Sequence, residues 1–150
     1  MKKVSILFFM FGLFLFNIAY AASVKEEYEL QERCKKSVDA WFQKEWDGKG
    51  IHEDKDLITM VDYQNHYNKK LNKCFVLVTT TMDNKKSKNS TKHIVLFDIN
   101  ENKQYGDFFT TYKSLYLEGT GWVLDTRSSN KIICHDKGNW DELIKLYMEE

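Results

Sequence analysis

Between residues 24 and 46, apolar side chains recur every four positions: Leu30, Cys34, Val38, Phe42 and Trp46. That repeat lays them along one slowly drifting stripe of a helix. Trp41 widens the stripe, Lys and Glu fill the opposite face, and Asp47-Gly48 with Gly50 ends the helix. The stripe reads as a core-packing face, so Cys34 points at whatever the helix packs on. Residues 47–56 read as a polar loop. From Leu57 the period changes. Ile58, Met60 and Asp62 fall on one side of an extended segment and Thr59, Val61 and Tyr63 on the other, giving a strand to about His66. Asn68-Lys69-Lys70-Leu71-Asn72 supplies turn chemistry without glycine, because Asn tolerates left-handed backbone angles.

The pattern then stays extended. "CFVLVTTTM" (74–82) is rich in Val, Phe and Thr, with Cys74, Val76 and Val78 on one face and Phe75, Leu77 and Thr79 on the other. "DNKKSKNSTK" (83–92) reads as a solvated hairpin loop that contains the sequon Asn89-Ser90-Thr91, a match cheap by chance. "HIVLFDI" (93–99) and "QYGDFFTTY" (104–112) are further strands around the turn "NENK" (100–103). "SLYLEGTGWVLD" (114–125) reads as a strand broken by a turn or bulge at Gly119 and Gly121, and "NKIICH" (130–135) as a short last strand whose partner lies just before "TRSS". The final "NWDELIKLYMEE" is an amphipathic helix, capped by Asn139, with Asp141 and Glu142 in its first turn and Trp140, Leu143, Ile144 and Tyr147 on its packing face. Short turns between neighbouring strands imply antiparallel pairing. The expected fold is α+β: an N-terminal helix, a meandering antiparallel sheet of about five or six short strands, and a C-terminal helix.

The first residues belong to a different pattern. Lys2 and Lys3 precede an apolar run from Val4 to Ile18, and Ala19-Tyr20-Ala21 follows as a small-x-small site. These are the three regions of a secretory signal peptide. The run is short of the roughly 20 residues that span a bilayer, and no cysteine follows it to carry a lipid. We expect cleavage after Ala21 or Ala22, leaving a single globular domain over 22–150, exported to the periplasm or beyond and off the membrane. Without Lys2 and Lys3 the domain carries 20 basic and 22 acidic residues, a net charge of −2. Nucleic acid, which demands a basic surplus, is not an expected partner.

Export permits disulfides. Three cysteines, Cys34, Cys74 and Cys134, leave one unpaired or bridging two chains, and three pairings are possible. The four histidines, His52, His66, His93 and His135, show no metal-ligand spacing and lie in different elements. Cys134 and His135 are adjacent in a strand, where neighbouring side chains point to opposite faces, so they cannot form a thiolate couple. No nucleophile elbow, phosphate loop or dinucleotide fingerprint occurs, and no catalytic residue, metal ligand or cofactor is expected. The lysines around 69–73 and 85–92 would form a local positive patch for an anionic partner if both loops lay at one end of the sheet.

"HYNKKLNKCF" (66–75) carries a resemblance. It looks like the H-Y-N-x-x-L-N-x-C-F stretch that precedes a strand in a loose group of small, uncharacterised exported bacterial proteins. "QERCKKSVDAWFQ", "LFDINENKQYGDFF" and "ICHDKGNWDELIKLYMEE" are similar to further stretches of that group, in the same order. The group's pattern has a fourth cysteine about ten residues before the last, near Trp122 to Asp125, where this chain has none. If the group pairs first with second and third with fourth, the resemblance implies a Cys34–Cys74 disulfide and leaves Cys134 as a free thiol. Both paired positions also fall on candidate core faces. The resemblance brings no reaction, ligand or partner.

In the motif itself, Tyr67 and Leu71 are expected to pack. Asn68 and Asn72 should shape the turn, Cys74 should staple the following strand ahead of Phe75, and His66 should sit at a strand end. The function expected from these features is a non-catalytic binding domain of inhibitor or immunity type, facing an unknown protein or envelope partner. The alternatives are a structural homo-oligomer, with a dimer linked through Cys134, and, less favoured, an envelope hydrolase.

Overall fold

The computed structural model describes residues 2–113 and 116–149, with side chains described for 24–112 and 119–149. The leader expected over 1–21 and its cleavage site lie outside the described side chains. The chain runs α1 (Lys2–Trp46), β1 (Ile51–Glu53), β2 (Leu57–Asn68), β3 (Lys73–Asn84), β4 (Ser90–Asp98), β5 (Lys103–Lys113), β6 (Tyr116–Leu124), β7 (Lys131–Cys134) and α2 (Lys137–Met148). All seven strands form one antiparallel sheet in sequence order. Among the described residues no helix is long and apolar enough to cross a membrane.

The α+β architecture is the expected one, with more strand than the pattern suggested. β1 lies inside the segment read as a polar loop. Its three residues are too few to show a period, and they pair with Ile58 to Met60 of β2. β2 runs on to Asn68, and β3 and β4 extend to Asn84 and from Ser90, so the hairpin loop between them shrinks to five residues.

The two faces of the sheet carry separate cores. On the outer face, Val61, Cys74, Val76 and Val78 pack with Cys34, Val38 and Phe42 of α1. Trp41 reaches Phe97 edge-on at 5.1 Å. On the inner face, Phe75, Ile94, Leu96, Tyr105, Phe108, Val123 and Cys134 pack with Trp140, Ile144 and Tyr147 of α2. These last three recur at i, i+4 and i+7, the spacing of one helix face. Because α2 touches β2 as well as β6 and β7, the sheet curls around it.

Two local features differ from the sequence reading. Gly119 and Gly121 neither turn nor bulge the strand: the β5–β6 register runs unbroken from Tyr116 to Val123. Their role is space. A Cβ on Gly119 would lie 2.5 Å from Phe108 Cζ, and one on Gly121 would lie 2.8 Å from the Phe108 Cα. Gly106 likewise makes room for Trp140, whose Cη2 would be 2.8 Å from an added Cβ. Glycine in a strand interior often marks such close approach. The register irregularity sits instead in β5, at Tyr105, which is the extra residue between the Leu96–Gly106 and Phe97–Gln104 pairs. The cap of α2 is Asp136 rather than Asn139: its carboxylate accepts from the Asn139 N–H at 2.8 Å. That starts the helix three residues earlier and leaves no acid in its first turn.

Candidate functional site

The motif "HYNKKLNKCF" proves to be a junction of all three layers. Cys74 is bonded to Cys34 across the outer face, with an S–S distance of 2.02 Å. Asn68 is fully buried on the inner side. Its Nδ2 donates to the carbonyls of Leu146 and Tyr147 at 2.9 and 3.3 Å, and its Oδ1 accepts from the Leu71 N–H at 2.9 Å. One side chain therefore shapes the β2–β3 turn and also satisfies carbonyls of the last turn of α2, which have no intrahelical donor. Asn72 takes the left-handed position (φ 53°), and its Oδ1 accepts from the Tyr67 hydroxyl at 2.6 Å. Leu71 packs on the inner core, Tyr67 on the outer one, and Phe75 is buried between Tyr105 and Tyr147. Beside the motif, Lys73 bridges the buried Asp98 at 3.0 Å and Glu101 at 2.5 Å. Burial pulls the Lys73 pKa down, but Glu101, Asp98 and Tyr105 outweigh it and hold it above the ordinary lysine value.

Two clefts flank the motif. One, of about 330 Å³, lies between α1 and the end of β2, lined by Glu27, Tyr28, Gln31, His66, Tyr67 and Lys69. It is bridged by the Lys69–Glu27 ion pair and by the Tyr67 N–H donating to Gln31 Oε1 at 2.8 Å. The other, of about 130 Å³, opens at the rim of the curled sheet between Leu71, Lys73, Lys103, Tyr105, Leu124 and Asp125. Its charges are engaged in the fold: Lys73 as above, Lys103 over the Tyr105 ring, and Asp125 in its own turn, where it accepts from the Arg127 N–H and the Ser128 hydroxyl. Those donors hold the Asp125 carboxyl below its usual pKa.

The remaining candidates disperse. His52 packs on Trp46 and contacts the Lys49 carbonyl, His66 lines the α1 cleft, and His135 is exposed past β7. Among the described residues no three His, Cys, Asp or Glu side chains converge as metal ligands. Cys134 is free and fully buried under α2. Burial, and secondarily the Asp136 carboxylate, push its thiol above the ordinary range, away from thiolate chemistry. The same burial leaves a Cys134-linked dimer without geometric support. The two basic loops sit at opposite ends of β3, and three of their lysines are paired: Lys69 with Glu27, Lys85 with Glu53 and Lys86 with Asp56. The conditional positive patch does not form.

A surface that the sequence reading missed is the outer face of β5, β6 and β7. α1 covers β2 and β3, and α2 is on the inner side, so among the described residues no helix lies over this half. Alternation places Val95, Phe109, Trp122 and Ile133 there. His93 stands opposite Phe109, and Trp122 stands opposite both Asp107 and Ile133. Phe109 is 40% and Ile133 53% exposed. His93 Nε2 and Gln104 Nε2 meet the Asp107 carboxylate at 3.1 and 2.8 Å. The Lys131 ammonium sits 3.8 Å from the Trp122 ring centroid. The result is a diagonal apolar stripe, rimmed by polar pairs, that ends at the open edge of the sheet. No protein-family model, curated protein or solved structure matches this chain.

Proposed function

We propose that the domain over 22–150 is exported and acts as a non-catalytic binding domain of inhibitor or immunity type, with another protein as its partner. The observation that carries this is the bare outer face of β5–β7. Contiguous apolar surface rimmed by polar groups marks contact sites on soluble proteins, and buried aromatic anchors dominate their energetics. Trp122 and Phe109 are such anchors, held rigid by cross-strand neighbours. Export is supported by the leader pattern of residues 1–21 and by a Cys34–Cys74 bridge, which persists in oxidising compartments.

The test has two readouts on one preparation. The exported fraction should yield a chain whose N-terminal sequence begins at Ala22 or Ser23. Immobilised on a resin, that chain should capture the same protein from envelope extracts across a range of salt, and Phe109→Lys should lose it without a change in melting temperature. An unprocessed chain would sink the export reading. Capture of nothing specific, or capture indifferent to Phe109→Lys, would sink the binding reading.

A further inference from the structure

Resting on that reading, we propose that β7 is a strand-acceptor edge: an extended acidic segment of the partner pairs with β7 as an eighth strand, laying apolar side chains beside Ile133 and Trp122. Among the described residues β7 is the last strand of the sheet and pairs only with β6, so the main-chain donors and acceptors on its other side have no strand to meet there. Soluble proteins normally blunt such an edge with charge, brevity or cover.

The opposite edge is blunted further, although its Ile51 is 65% exposed. β1 has three residues, its Glu53 is ion-paired with Lys85, and His52 is folded onto Trp46. β7 is blunted less. Ile132 and Ile133 are 40% and 53% exposed, on opposite faces of the edge. The one charge in the strand, Lys131, is drawn back over the Trp122 ring, so the edge itself is unguarded. Ile133, Trp122 and Phe109 are cross-strand and diagonal neighbours, and a strand added at β7 continues their stripe.

Charge selects the occupant. Residues 126–135, "TRSSNKIICH", hold Arg127 and Lys131 and no acid. The Arg127 side chain is 92% exposed, with its Nε 4.0 Å from Asp125 Oδ1 and the rest of its guanidinium facing water. The flanking acids are tied down, Asp125 within its turn and Asp136 as the cap of α2. A basic edge on a chain of net charge −2 favours an acidic strand. It disfavours a second copy, because antiparallel two-fold pairing at Ile133 would bring Lys131 and Arg127 of both chains to one short edge. Main-chain pairing supplies affinity in this mode, and the side chains supply selection.

The probe is a capped heptapeptide alternating glutamate and valine, with its lysine–valine counterpart as control, titrated into the processed, isotope-labelled protein. The acidic peptide should shift the amide resonances of residues 131–134 and slow their hydrogen exchange, more weakly as salt rises. The basic peptide should bind at least about tenfold more weakly. Ile133→Lys should abolish the shifts, and Arg127→Glu should weaken them, with far-ultraviolet circular dichroism and melting unchanged because both side chains are exposed. Equal binding of the two peptides, shifts that map elsewhere, or no shift at 131–134 would overturn the proposal. So would a concentration-dependent dimer that Ile133→Lys dissolves, since the edge would then belong to a second copy. If Ile133→Lys still captures the partner from extract, the edge proposal fails while the binding reading stands.

Discussion

Replacing Asn68 by alanine removes one amide and strands three main-chain groups. The Leu71 N–H loses its acceptor, and the Leu146 and Tyr147 carbonyls lose their donor. The site has no exposure to water. A made hydrogen bond contributes roughly 0.5–1.5 kcal/mol net, and a buried group left unpaired costs roughly 1–3 kcal/mol. Partial relaxation of the helix end tempers the sum, so we expect Asn68→Ala to cost about 3 kcal/mol, or about 10 °C in melting temperature for a domain of this size. Urea titration followed by circular dichroism measures it. Asn68→Asp separates the two roles. It keeps the acceptor for Leu71 but turns an oxygen toward two carbonyl oxygens, so it should cost at least as much as alanine. Asn72→Gly is the control: glycine accepts the left-handed angle, only the Tyr67 hydroxyl bond is lost, and the change should stay within about 1 kcal/mol. A loss under 1 kcal/mol for Asn68→Ala, or a stable variant that loses binding, would refute the view of this motif as a structural junction.

Two further outcomes follow from the same geometry. Cys74→Ser, or reduction of the wild type, should lower stability by about 4 kcal/mol for a bridge closing 40 residues in the chain-entropy treatment, read from the urea midpoint with and without reductant. Burial, and then the Asp125 charge, raise the Tyr147 phenol from 10.0 to about 12. The neutral phenol is the form the fold holds, so its contribution is intact below pH 10 and is lost as pH rises toward 12, amounting to about 2–3 kcal/mol. Tyr147→Phe should be less stable than wild type at neutral pH, having lost the bond to the Leu124 carbonyl, and should show a shallower alkaline decline. Parallel declines would refute the assignment, because Lys73 titrates in both.

The elements with a long period were legible. The four-residue stripe from Leu30 to Trp46 and the alternation in "CFVLVTTTM" state their faces directly, and each puts its cysteine on a core face; that the two faces meet is shown by the Cys34–Cys74 bridge. What was not legible depends on neighbours remote in sequence. Gly119 and Gly121 look like turn residues until Phe108 is known to lie across them. Asn68 looks like a turn former, which it is, yet two of its bonds go to residues 78 and 79 positions away. The open outer face has no local signature either. Phe109, Trp122 and Ile133 alternate as core residues do, and only the position of α1 over β2 and β3 shows that nothing covers them.

The order of the sheet also governs when the protein can close. Each strand pairs with the one just made, so the hairpins from β1 to β7 can zip locally as the chain emerges. The inner core cannot follow at that pace. Its centre is Trp140, Ile144 and Tyr147 of α2, which is made after all seven strands. Until they are synthesised, Phe75, Leu96 and Phe108 have no partner layer and Asn68 has no helix end to hold. A nascent chain of this topology is committed to a loose, half-covered sheet until its final turn is made. A chain destined to be threaded through a translocation pore before it folds would gain from that delay.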